Sequence, residues 1–129
     1  MKFKLVGKAR VIIPENDKHE FYDLKDVKNS IFLAGPCPRE DYDDDWRNEA
    51  IKILDDLGFN GIILNPTNKY YDTEDKDHLS KQTAWEIEAM HKASAILFWI
   101  ERSEDHPAYT TNIEFGQWFD KPRVYCGWT

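Results

Sequence analysis

Apolar residues are concentrated in short runs separated by polar stretches. Four of them, Ala9–Ile13, Ile31–Ala34, Gly61–Leu64 and Ala95–Ile100, are rich in β-branched or aromatic residues, and a fifth, Arg123–Cys126, nearly closes the chain. Runs of this length and composition predict strands. Between the second and third runs the period changes. Trp46, Ala50, Ile53, Leu54 and Leu57 fall at helical spacing and Gly58 offers a C-terminal stop, which predicts an amphipathic helix over 46–58. Thr83–Ala93 predicts a second helix, with Ala84, Ile87 and Met90 on one stripe, and Ile113–Phe119 a shorter third before Asp120-Lys121-Pro122.

Continuous apolar strands alternating with helices imply a parallel sheet covered on both faces, because a half-exposed antiparallel sheet shows a cleaner in-out alternation. The predicted class is α/β: a single doubly wound domain over 1–129, flavodoxin-like or Rossmann-like, with a parallel sheet of about four or five strands. Residues 1–30 read as an N-terminal strand and loop, and 31–126 as the α/β core. In such a sheet ligands bind outside the carboxyl ends of the strands. The informative segments are therefore Gly35–Asp45, Asn65–Leu79 and Glu101–Asn112, which are also the most polar.

The chain has 129 residues, 41% of them hydrophobic, which suits one folded core. A formal charge of −7 argues against a nucleic acid polymer as the main partner. No apolar run approaches the ~18 to 20 residues of a membrane span, and no signal-like stretch follows Met1, so a cytoplasmic protein without membrane contact is expected. Cys37 and Cys126 have no CxxC neighbour and read as ordinary thiols. Five Trp in so small an acidic domain are more than one core readily hides, which points to a homo-oligomer.

Chemistry has to come from a few polar residues. Gly35-Pro36 ends a strand in a turn that lets the backbone approach a ligand, but neither GxGxxG nor GxxxxGK[ST] is present, so no dinucleotide cofactor is expected. No GxSxG elbow supports serine hydrolysis. Thr111 and Glu114 fit a capping box at the start of the third helix, and Thr83 and Glu86 fit another. Either glutamate can instead be a reactive carboxyl at a strand mouth, with the helix dipole keeping Glu114 ionised. Asp41, Asp43, Asp44 and Asp45 could hold Mg²⁺, but acidic residues before a helix also suit its dipole, and no metal is expected. His19, His78, His91 and His106 show no ligand spacing.

Together, IFLAGP, DWRNEAIKILDDLGFNGIILNP, TAWEIEAMHKASAILFWI and TTNIEFG resemble, in that order over residues 31–119, the nucleoside 2-deoxyribosyltransferase family and its deoxynucleoside-monophosphate N-glycosidase relatives. The resemblance implies that Glu114 is a nucleophile attacking the sugar C1′, with Glu86 facing the nucleobase and Asn112 near the sugar. A second base or water would then resolve the glycosyl ester. The partners implied are a nucleoside or nucleotide and a nucleobase, in sites completed between subunits. Gly35, Pro36 and Asn65 would help to shape the site, Trp46 and Trp85 (with Trp99) are candidates to stack on the base, and Arg39 and Arg47 are the nearest cations for a phosphate. Alternatives are a nucleoside 5′-monophosphate N-glycosidase and a catalytically weak nucleotide-binding module. The chain departs from the family by carrying Ile31 and Phe32 where the first strand commonly has a Tyr, and by ending at Thr129.

Overall fold

The computed structural model describes residues 4–38, 44–68 and 74–128. Five strands, β1 (Arg10–Ile12), β2 (Ser30–Ala34), β3 (Ile62–Leu64), β4 (Ala95–Ile100) and β5 (Val124–Trp128), alternate from β2 onward with helices α1 (Trp46–Asp56), α2 (Lys76–Lys92) and α3 (Tyr109–Trp118). All strand pairs are parallel, in the order β1-β3-β2-β4-β5. The chain passes from β2 to β3 on one side and then crosses to β4 on the other. The order therefore reverses between β2 and β4, which is where an open sheet of this kind leaves a crevice at its carboxyl end.

The two faces are packed unequally. Phe32, Leu64, Ile96 and Phe98 meet Trp85, Ala89 and Met90 of α2 and Trp118 of α3, with Leu24 and Val27 of the segment before β2 closing that layer. On the opposite face Leu33 and Ile63 pack against Ile51 of α1, flanked by Ala50 and Leu54. This is the doubly wound α/β arrangement expected of the strand-helix alternation.

Three helix expectations need correction. In α1 the stop at Gly58 holds, with a left-handed φ of 82°, but the buried residues are Arg47, Ile51 and Asp55, while Ile53 and Leu57 are exposed. Asp55 is buried because it accepts the backbone N–H groups of Val6 (2.7 Å) and Gly7 (2.8 Å). Helix α2 begins seven residues before Thr83, at Lys76, with Asp75 as its N-cap accepting from Asp77 and His78 N–H. Its buried stripe is Gln82, Trp85, Ala89 and Met90, so Met90 is placed as expected whereas Ala84 and Ile87 face out. Helix α3 starts four residues before Ile113, at Tyr109, after Ala108 in the left-handed region (φ 58°) and with no side-chain cap.

Candidate active site

Neither capping box exists. Thr83 lies inside α2, where its hydroxyl donates to the Leu79 carbonyl, and Thr111 is the third helical residue of α3 rather than its cap. Glu86 and Glu114 are thereby released from helix ends. Both line one cavity of about 760 Å³, large enough for a small organic ligand, at the carboxyl end of the sheet. Its walls come from Gly35–Pro38 after β2, from Pro66, Thr67 and Asn68 after β3, from Gln82 and Glu86 on α2, and from 106–111 and Glu114 around the start of α3.

The turn after β2 is held open by close packing. A Cβ on Gly35 would stand 2.4 Å from the Trp99 carbonyl oxygen and 2.9 Å from the Trp46 ring, so only glycine fits. Beneath it runs Arg47, 1% exposed, from the first turn of α1. Its guanidinium donates to the carbonyls of Leu33 (3.0 Å), Gly35 (2.6 Å) and Pro36 (3.0 Å) and pairs with Asp45 at 3.2 Å. Asp45 also caps α1 and accepts from the Thr67 hydroxyl, tying the loop after β2 to the loop after β3. Arg47 is thus a cation fixed at the wall of the cavity, with each of its three guanidinium nitrogens bonded to the protein.

That cation and burial set the protonation of the two glutamates. Burial, then the charge of Glu114, push Glu86 up to about 7, against the opposing pull of Arg47 and a hydrogen bond from Gln82. Burial also raises Glu114 above the usual carboxyl range, with Arg47 opposing it. The expectation that the helix dipole alone keeps Glu114 ionised is therefore corrected: it sits beyond the first turn of α3, and the favourable charge comes from Arg47. Two carboxyls in one cavity, one of them raised to about 7 by burial and by the charge of the other, can divide the roles of proton donor and nucleophile. Cys37, an exposed residue, also lines the cavity, where desolvation raises its thiol above the ordinary range.

Of the expected site residues, Gly35, Pro36, Arg47, Glu86 and Glu114 line the cavity, and Trp46, Asn65, Trp85 and Asn112 do not. Trp46 packs on Gly35 and donates its indole N–H to the Pro36 carbonyl at 3.2 Å, forming the wall of an adjoining hollow instead. Trp85 is buried in the core, and Trp99 donates to Glu101. Asn65 shapes the next loop by accepting the Thr67 N–H at 3.0 Å, and Asn112 is exposed. Arg39, Asp41 and Asp43 lie outside the described residues. Asp45 is engaged with Arg47 and Thr67, and among the described residues no three metal-binding side chains gather.

Thr67, Asn68, Gln82 and residues 106–111, from the loop before α3 and its first turn, are additional wall residues; all but Gln82 fall in the polar segments expected after β3 and β4, but none stands out there as a ligand group. The available signals were the polar Asn65-Pro66-Thr67-Asn68 at a strand's carboxyl end, and Gln82, one helical turn before Glu86.

A family model described as "Nucleoside 2-deoxyribosyltransferase like" matches residues 28–127, which include β2 to β4, all three helices and every wall residue of the cavity. No match among curated proteins is found.

Proposed function

The chain belongs to the nucleoside 2-deoxyribosyltransferase-like family, and from that premise we propose that it transfers a 2-deoxyribosyl group between nucleobases through a covalent ester on Glu114. The family supports nucleosides or nucleobases as substrates and glycosyl transfer or hydrolysis as the reaction. The observation that carries the finer reading is the pair of glutamates in one cavity, with Glu86 poised near neutrality beside Glu114 and Arg47. Ionised Glu114 attacks C1′ as the C1′–N bond breaks through an oxocarbenium-like transition state, and the departing base takes the proton of Glu86. In the second half an incoming base or water gives its proton to Glu86 and attacks C1′, releasing Glu114.

Incubation with deoxyinosine, with and without adenine, followed by chromatography, tests this reading. Deoxyadenosine formed only when adenine is present is the expected result; hypoxanthine release without exchange indicates a hydrolase, and binding without either product indicates a nucleotide-binding module. A second reading, a nucleoside 5′-monophosphate N-glycosidase, draws on the start of α3. The backbone N–H groups of Tyr109, Thr110 and Thr111 precede the first intrahelical bond, from Asn112 to Ala108, and these residues line the cavity without a side-chain cap. Such a helix start suits a phosphate. Deoxyinosine 5′-monophosphate turning over faster than deoxyinosine would favour it.

Glu86→Gln keeps the shape and removes the acidic proton. Substrates whose base needs protonation should slow by ~10² to 10⁴, and those with a good leaving group by less. Because Glu86 is raised to about 7 and acts protonated, wild-type rates should fall as pH rises through about 7. That limb should vanish in Glu86→Gln. Equal loss on both substrate types would indicate a positioning role.

We also propose a homo-oligomer. Tyr109 and Ile113, one turn apart on α3, are 73% and 71% exposed, and Tyr109 lines the cavity; Phe119 at the C-cap of the helix is 61% exposed. Light scattering should give a multiple of the 15.2 kDa chain mass at micromolar concentration, and 15.2 kDa at all concentrations would refute it.

A further inference from the structure

Behind the cavity wall, a row of buried polar side chains leads from Glu86 to a segment that the family match does not include. Glu15, buried in the loop after β1, precedes the matched residues 28–127. We propose that Glu15 is a positioning residue for Glu86, acting through Asn68 and Gln82, whose side-chain amides it orients.

Hydrogen-bond chemistry fixes the direction of the row. A carboxylate only accepts, so the Asn68 amide turns its nitrogen to Glu15, with Nδ2 3.2 Å from Oε2. The same nitrogen donates to Gln82 Oε1 at 3.4 Å. The oxygen of Gln82 therefore points at Asn68, and its nitrogen donates to the Pro66 carbonyl at 3.0 Å, which also only accepts, and to Glu86. Reversing either amide would set acceptor against acceptor. Glu15, Asn68 and Gln82 are each at most 7% exposed, so water has little access to repair a reversed bond.

The consequence falls on one proton. A neutral carboxyl whose carbonyl oxygen is held by the Gln82 N–H must carry its proton on the other oxygen. The row therefore determines which oxygen of Glu86 can give a proton, a step that rests on the glycosyl-transfer reading. Around Glu86 the other charged or titratable groups are Glu114 on α3, Arg47 on α1 and Cys37 after β2. Around Glu15 they are His78 on α2 and His19 in its own loop, each with Nδ1 3.9 Å from Oε1. None of these is altered in the test.

The carboxyl carbon of Glu86, ¹³C-labelled and assigned by the loss of its signal in Glu86→Gln, can be titrated by NMR without any substrate. In Glu15→Gln the amide at 15 donates as well as accepts, so Asn68 is no longer held in one direction, and Gln82, left with the Pro66 carbonyl as its remaining anchor, holds Glu86 less firmly. The proton affinity of Glu86 should rise about threefold, Gln82→Leu should do the same, and the double variant should add little to either. Loss of the negative charge at Glu15 acting through space would shift the affinity down instead. A downward shift, or none, overturns the proposal. If Glu15→Gln fails to fold, Asn68→Ala interrupts the row at its middle with the same expectations and the same overturning result. In turnover assays kcat should fall about tenfold with less change in KM. A wild-type protein that turns over no nucleoside overturns the functional reading alone, because the NMR titration still decides the role of Glu15.

Discussion

Glu114→Ala should abolish turnover and leave the fold at least as stable as before. Removal of a covalent nucleophile is expected to slow the reaction by about 10³-fold or more, ~4 kcal/mol of transition-state stabilisation. The stability expectation follows from the structure. Were Glu114 half of a capping box, its loss would cost about 1 kcal/mol. It caps nothing, and burial raises its carboxyl above the value it has in an unfolded chain. The folded state therefore binds more protons than the unfolded one once pH exceeds the unfolded carboxyl value. Across the window up to the folded value, native stability falls as pH rises, because ionising the buried group is costly. Alanine removes that cost, so urea denaturation at pH 5 and pH 8 should show the variant gaining more at pH 8. A variant that unfolds, or one that turns over normally, is incompatible with Glu114 as nucleophile. The positive evidence would be a glycosylated peptide containing Glu114, trapped with a 2′-fluoro nucleoside and seen by mass spectrometry.

The largest effect on stability is expected from Arg47→Ala. The change deletes donors to three backbone carbonyls and leaves Asp45, 5% exposed, without its counter-charge. Breaking a buried pair in this way costs about 3–5 kcal/mol, which for a chain of this size lowers Tm by roughly 10 °C or more. Arg47→Lys should recover only part of the loss, because one ammonium cannot reach the fork of carbonyls that the planar guanidinium spans. Calorimetry of the two variants checks both statements. A fall of only a degree or two in Arg47→Ala would mean that water replaces the side chain and that the loop after β2 does not depend on it.

The same residue explains why the sequence was legible in some places and misleading in others. Strands announced themselves because the sheet is covered on both faces, so β2, β3 and β4 each read as continuous apolar runs. Gly58 marked the end of α1 correctly. The inward faces of the helices were harder to find. Arg47 and Asp55 on α1, and Gln82 on α2, are buried polar groups with specific partners, and an apolar-periodicity argument assigns such residues to solvent. Of the stripe it chose on α1, Trp46, Ala50 and Leu54 pack against the core, whereas Ile53 and Leu57 are exposed. The two Thr-x-x-Glu patterns misled for a related reason. Helix α2 had a better cap upstream in Asp75, and α3 began at a left-handed Ala108 that has no side-chain signature. Glu86 and Glu114 were nevertheless named, because strand mouths are where a doubly wound sheet presents its ligand groups, and the resemblance singled out the same two residues. Gln82 and Asn68 were not, since the groups that hold them, Pro66 for Gln82 and Glu15 for Asn68, lie 16 and 53 residues earlier in sequence.

Strand β1 shows how a family boundary differs from a folding boundary. It lies before residue 28, yet it pairs in register with β3 from Arg10↔Ile62 to Ile12↔Leu64. A fragment trimmed to the matched segment would leave the outer backbone of β3 as a bare row of amide and carbonyl groups. Ile63 and Leu64, fully buried in the intact chain, would then sit beside an open edge. Such an edge is a template onto which a strand of another molecule can add. The residues before 28 thus cover that edge of β3 and leave only the three-residue β1 at that border of the sheet.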